Sequence, residues 1–188
     1  SMTNPLPTVG FVGTGIMGAS MAGHLVAAGY PLRVFNRTRR KAEPLLAAGA
    51  VWCESPEDVA ASAEIVITIV GMPTDVEEVY FGRDGKGGLL AAAAAGSLLI
   101  DMTTSSPALA ERIAAAAAER GVAAVDAPVS GGDVGARNGT LVIMAGGDEA
   151  AFQRALPLLK TTGGSITRLG PAGAGQRCKL ANQVAVAV

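Results

Sequence analysis

Lys179 and Asn182 stand three positions apart in the segment GQRCKLANQ, so a helix there carries both on one face. A lysine shielded beside a reacting carbon can give or take a proton at a hydroxyl, and an asparagine on the same face can steady it or its substrate. Far upstream, DAPVSGGDVGARNGTL runs from Asp126 to Leu141. Here a strand is expected to end in Ser130-Gly131-Gly132, followed by a long glycine-rich loop. One hydroxyl and two backbone N–H groups free of side chains make a receptor for a carboxylate.

A third group, GFVGTGIMG, spans Gly10 to Gly18. A G-x-G-x-x-G match can arise by chance in a chain with 25 glycines, and its context decides. Val9, Phe11 and Val12 precede it as a buried strand, and Ile16 to Ala28 follows with the apolar pattern of a packed helix. Strand, glycine turn and helix is the order a dinucleotide site needs. Gly13 permits the turn, Gly15 lets the backbone approach a pyrophosphate, and Gly18 lets the helix pack on the strand. Thr14, Ile16 and Met17 complete this cofactor-binding turn, whose free N–H groups face the anion.

The end of the second strand separates the two nicotinamide dinucleotides. A carboxylate there binds a ribose 2′-OH, whereas arginine accommodates a 2′-phosphate. The chain reads VFNRT, with Asn36 in the acid's place, Arg37 and Thr38 next, and Arg39, Arg40 and Lys41 behind. No carboxylate stands in this stretch, and cations at a helix start call for a local anion. This favours NADP(H) over NAD(H). Met72 and Pro73, after the strand ending in IVG, are expected on the adenine-ribose side. Thr103 and Thr104 are expected near the nicotinamide, because ligands gather at the carboxyl ends of such strands.

These groups need elements to position them. Strand-like runs near 8–13, 32–36, 50–52, 65–70, 97–102, 122–127, 140–145 and 165–169 alternate with helical patterns near 16–28, 38–48, 56–62, 74–80, 107–119, 148–160 and from about 173. The alternation predicts an α/β, Rossmann-like, doubly wound and mainly parallel sheet with helices on both faces. Ser55-Pro56 and Ser106-Pro107 read as caps followed by proline in the first helical turn. His24, among alanines and Leu25, reads as structural. Asp75, Glu77 and Glu78 read as helix-start acids.

Composition agrees with one well-buried domain: 188 residues, 49% hydrophobic and 4% aromatic. A net charge of −1 gives no general attraction to nucleic acid or anionic membrane. Cys53 and Cys178 are far apart, fit no metal spacing, and suit a reducing, cytoplasmic setting. Residues 1–2 resemble a tag-cleavage scar, 3–170 read as the NAD(P)-binding domain, and 171–188 as the start of an interdomain helix. The last run, GQRCKLANQVAVAV, closes without a cap glycine or polar tail, so the helix is expected to continue into a domain absent from this chain.

In order and across nearly the whole chain, GFVGTGIMG, NRT, DAPVSGG with its trailing GARNGTL, and GAGQRCKLANQ resemble the β-hydroxyacid dehydrogenases. These include 3-hydroxyisobutyrate dehydrogenase and the tartronate semialdehyde and glyoxylate reductases. The resemblance implies NAD(P)-dependent interconversion of a small β-hydroxy acid and its semialdehyde. It implies Lys179 as general acid/base, Ser130, Gly131 and Gly132 as holders of the substrate carboxylate, and Asn182 as an assistant. It also implies a helical domain, missing here, through which the full-length form becomes a homo-oligomer. 6-Phosphogluconate dehydrogenase is similar but follows its lysine with histidine and asparagine, where this chain has Ala181-Asn182. The rivals are a catalytically silent NADP-binding scaffold, which needs no Lys179, and an imine or carbonyl reductase, which needs no carboxylate receptor.

Overall fold

The computed structural model describes residues 4–13 and 15–187. The strands are β1 (Val9–Val12), β2 (Leu32–Phe35), β3 (Val51–Trp52), β4 (Ile65–Thr68), β5 (Leu98–Asp101), β6 (Ala123–Asp126), β7 (Val129–Ser130), β8 (Leu141–Gly146) and β9 (Gly163–Gly170). The helices are α1 (Ile16–Ala27), α2 (Glu43–Ala47), α3 (Pro56–Ser62), α4 (Pro73–Phe81), α5 (Gly88–Ala92), α6 (Pro107–Glu119), α7 (Gly132–Asn138), α8 (Glu149–Leu159) and α9 (Ala174–Ala187). They form a mostly parallel nine-stranded sheet of order β3-β2-β1-β4-β5-β6-β8-β7, with β9 beside β8. The run from β3 to β6 is parallel throughout. Its order reverses between β1 and β4, which opens a crevice at the carboxyl ends of the strands.

In the central parallel strands, period-two alternation divides the apolar side chains between two cores. Val9, Phe11, Ile65, Ile67, Leu98 and Ile100 face one cluster with Met21 and Leu25 of α1 and Phe152 of α8. Val12, Val66 and Leu99 face the other with Val59, Val76, Leu89 and Ile113. A sheet covered on both faces explains the continuous apolar runs. The expected caps form: Ser55 Oγ accepts from the Asp58 N–H at 3.1 Å, and Ser106 Oγ from the Leu109 N–H at 3.0 Å.

Several expectations need correction. The helix expected over 38–48 is a 3-10 turn at Arg39–Ala42 followed by the short α2, because Pro44 suits a first helical turn and not the interior of a longer helix. The loop expected after Ser130 is helix α7, closed by Gly139 in the left-handed conformation. Its last carbonyls, of Ala136 and Arg137, accept from His24 Nε2 at 2.8 and 3.0 Å, which gives His24 a structural role between α1 and α7. Val129–Ser130 is a separate strand, antiparallel to β8, and β8 also runs antiparallel to β6. Helix α5 falls between the helix expected near 74–80 and the strand expected near 97–102, its five residues showing too little periodicity to bound it.

Candidate active site

The glycine turn meets the steric requirements of a dinucleotide cradle. Gly13 has φ +100°, and a Cβ there would lie 2.0 Å from the Ile69 carbonyl oxygen. A Cβ at Gly18 would lie 2.2 Å from the Gly13 carbonyl oxygen, so α1 presses on the turn where only glycine fits. A Cβ at Gly15 would meet no protein atom within 4 Å. That bare backbone, at the N-cap of α1, borders open space in which an anion can face the first helical N–H groups. The residues present therefore fit a dinucleotide. Thr14 lies outside the described residues. Ile16 is exposed and, with Met17, lines the same space.

This space is a cleft of about 470 Å³ between the end of β2 and the start of α4. Phe35, Val70 and Val79 give it apolar walls, and Asn36 and Arg37 stand at its β2 side. Asn36 Nδ2 donates to the Thr38 carbonyl at 2.9 Å, holding the bend after the strand. Arg37 Nη2 donates to Asp75 Oδ1 at 2.7 Å. The reading that no carboxylate attends this arginine therefore holds only along the chain. In space α4 supplies one, and it also answers the call for a local anion. Arg39 meets Glu54 at 3.9 Å and lies over the Trp52 ring. Met72 caps α4, its N–H donating to Asp75 Oδ2 at 3.0 Å, and Pro73 opens that helix. Neither is among the described residues lining the cleft.

Thr103 is buried and connects elements. Its Oγ1 accepts from the Val70 N–H at 3.0 Å, and its own N–H donates to Asp101 Oδ1 at 3.1 Å. Thr104 beside it is exposed. Asp101 also accepts from the Thr68 hydroxyl at 2.9 Å, which leaves the Thr68 oxygen to accept from Tyr80 at 2.9 Å. Burial pushes the Asp101 carboxyl up to about 6, against the lowering effect of its Thr103 and Thr68 hydrogen bonds. Burial, and then the charge of Asp101, raise the Tyr80 phenol well above its ordinary value.

The second half of the site assembles around the start of α9. Asp126, at the end of β6, accepts from the Gly173 N–H at 2.8 Å and the Gln176 N–H at 3.0 Å, so its carboxylate satisfies donors that the helix start leaves unpaired. Gly146 and Gly175 make room, since a Cβ at either would come within 3 Å of this carboxylate. Gln176 is 1% exposed and bonds the chain around Thr103 and Ser105. One turn further, Lys179 Nζ donates to Ser130 Oγ at 2.7 Å. Asn182, on the same face, is exposed, with Nδ2 3.7 Å from Met144 Sδ. Ser130 leads through Gly131 and Gly132 directly into Asp133, which lines the cleft. The link between the Lys179–Ser130 pair and the cleft is thus the chain itself, which reaches the cleft lining at Asp133. Asp75 takes the helix-start position expected of it, but its pairing with Arg37, and the roles of Asp126 and Gln176, were not legible in the sequence.

A bare glycine cradle at the topological switch point of a doubly wound sheet is the arrangement of a dinucleotide-binding domain. The comparisons agree. Residues 8–170 match the family described as the NAD binding domain of 6-phosphogluconate dehydrogenase, and this chain belongs to that family. It is 51% identical over 180 residues to an uncharacterized oxidoreductase of Bacillus subtilis, YkwC, covering 96% of this chain and 62% of the relative. Among solved structures, Mycobacterium tuberculosis 3-hydroxyisobutyrate dehydrogenase with L-serine superposes with a TM-score of 0.89 at 38% identity, covering 97% of this chain and 60% of that one. A protein called Psf3, solved with NADP+ and 2-OPP, superposes at 0.88 with 34% identity, covering 95% and 62%. This chain spans about three fifths of the length of these relatives.

Proposed function

We propose that this chain is the cofactor-binding part of an NADP(H)-preferring oxidoreductase that interconverts a small β-hydroxy acid and its semialdehyde. The observation that carries the reading is the 2.7 Å hydrogen bond between Lys179 Nζ and Ser130 Oγ, on a turn that continues into the cleft wall. Gly13 to Gly18 would hold the pyrophosphate, with Asn36, Arg37 and Thr38 at the adenosine ribose and its 2′-phosphate. Met72, Pro73, Thr103 and Thr104 would border the remaining cofactor surface. When bound, the reduced nicotinamide supplies a hydride.

Ser130 with the Gly131 and Gly132 backbone would hold the substrate carboxylate. The Lys179 ammonium would donate its proton to the oxygen on which negative charge develops, and take it back in the oxidising direction. Asn182 would orient that oxygen or the lysine. Residues 3–170 act as the binding domain, and α9 as the start of an interdomain helix leading to the segment through which the full protein forms a homo-oligomer. Among the described residues no helix is long and apolar enough to cross a membrane. The separated thiols Cys53 and Cys178 suit a cytoplasmic setting.

The test is Lys179→Ala in the full-length protein, assayed with 3-hydroxyisobutyrate, tartronate semialdehyde, glyoxylate and succinic semialdehyde. Turnover should disappear for the substrate that the wild type accepts, while NADPH binding stays within about twofold. Retention of most of kcat would remove Lys179 from the chemistry, and normal NADPH binding without turnover of any acid by the wild type would favour the scaffold reading.

A further inference from the structure

The Arg37–Asp75 pair crosses the cleft at the place where the two cofactors differ. Among the described residues lining it, Arg37 is the only cation, and the acids are Asp75 and Asp133. The partners are unequally fixed: the Arg37 side chain is 71% exposed and that of Asp75 21%. Asp75 is anchored because its Oδ2 accepts from the Met72 N–H, and the Gly71 turn leaves that oxygen room, a Cβ there coming to 3.3 Å. Its Oδ1 is turned to the guanidinium.

We propose that Asp75 is a specificity-determining residue that opposes NADP(H) and supports NAD(H), so that Arg37 and Asp75 together set the cofactor ratio. This deepens the cofactor reading above and rests on it. A 2′-phosphate at Arg37 must share that guanidinium with a carboxylate that is already in place, and the two anions repel. A ribose with a free 2′-OH instead offers donors, which a carboxylate accepts. Asp75 thereby supplies from α4 the acid that Asn36 withholds at the end of β2. The wild type prefers NADP(H) through Arg37, and Asp75 restrains that preference.

The experiment titrates NADPH and NADH, followed by cofactor fluorescence at fixed ionic strength, against the wild type, Asp75→Asn, Asp75→Glu and Arg37→Ala. Asparagine keeps an oxygen for the Met72 N–H, so helix α4 retains its cap while the charge is removed. Asp75→Asn should raise the NADPH-to-NADH affinity ratio by about fivefold or more, Asp75→Glu should leave it near the wild-type value, and Arg37→Ala should lower it. A ratio unchanged or lowered in Asp75→Asn, with both cofactors still bound, overturns this proposal and leaves the cofactor site standing. The lowered outcome would mean that Asp75 orders Arg37 for the phosphate. Failure of the wild type to bind either cofactor overturns the proposal and the underlying cofactor reading alike.

Discussion

Gln176 and Thr103 lie on different elements and are joined by a buried hydrogen bond, from Gln176 Nε2 to the Thr103 carbonyl at 2.8 Å. The same amide accepts from the Ser105 N–H at 2.9 Å through Oε1, so one side chain closes two backbone groups of the segment leaving β5. Because Gln176 sits one helical turn before Lys179, this clamp also fixes the rotation of α9 that points Lys179 at Ser130.

Gln176→Ala should therefore cost both stability and geometry. Leaving a buried N–H and C=O unpaired destabilises by about 2 kcal/mol, which lowers Tm by roughly 4–8 °C in a domain of this size. Thermal unfolding followed by circular dichroism measures the first effect. A kcat loss larger than any change in KM would mark the second.

Lys179→Ala and Ser130→Ala should separate in kinetics. With Lys179 as the proposed proton donor, its loss should lower kcat by about 100-fold or more with cofactor affinity retained. Loss of the serine hydroxyl should act mainly on KM for the acid substrate, and steady-state assays of the full-length protein distinguish the two.

The glycine turn gives a third contrast. Gly15→Val places a side chain where no protein atom lies within 4 Å, at a backbone φ of −66° that any residue adopts. It should leave Tm within about 2 °C while weakening NADPH binding more than tenfold, because the bulk fills the position proposed for the pyrophosphate. Gly13→Ala meets the Ile69 carbonyl and a positive φ, so its effect should be on folding itself. Thermal melts paired with cofactor titration decide between these outcomes.

Asp101 makes a pH prediction. Its carboxyl is raised from 3.8 to about 6 by burial, so between those values the folded chain binds the proton more tightly than the unfolded chain does. Its contribution is then largest below pH 4 and is lost as pH rises toward 6, by at most about 2–3 kcal/mol. Asp101→Asn keeps an oxygen for Thr68 and the Thr103 N–H. Urea unfolding from pH 4 to 7 should show the wild type losing stability relative to Asp101→Asn across this window, then running parallel to it.

The parallel half of the sheet was legible because both periodicities are strong there. Val9-Gly10-Phe11-Val12 and Ile65-Val66-Ile67-Thr68 are continuous apolar runs of doubly covered strands, and the serine caps at Ser55 and Ser106 mark helix starts. The chain beyond Pro128 was harder. Gly131, Gly132, Gly135 and Gly139 in so short a span have the composition of a loop, yet α7 forms there because it packs on α1 and its last carbonyls find His24. Tertiary partners stabilise a short helix that intrinsic propensity would leave unformed.

The sequence by itself determined the order of strands β1 to β6 with the helices α1, α3, α4 and α6 among them, the glycine cradle, and the pairing of Lys179 with Asn182 on one helix face, since each follows from spacing over a few residues. Only the tertiary structure decided that Arg37 has Asp75 beside it, that Asp126 caps α9, that Gln176 clamps the turn at Thr103, and that Lys179 meets Ser130. Each of those contacts joins residues at least 38 positions apart. Local spacing carries no record of such pairs, because it is packing two layers against one sheet that brings them within hydrogen-bonding reach.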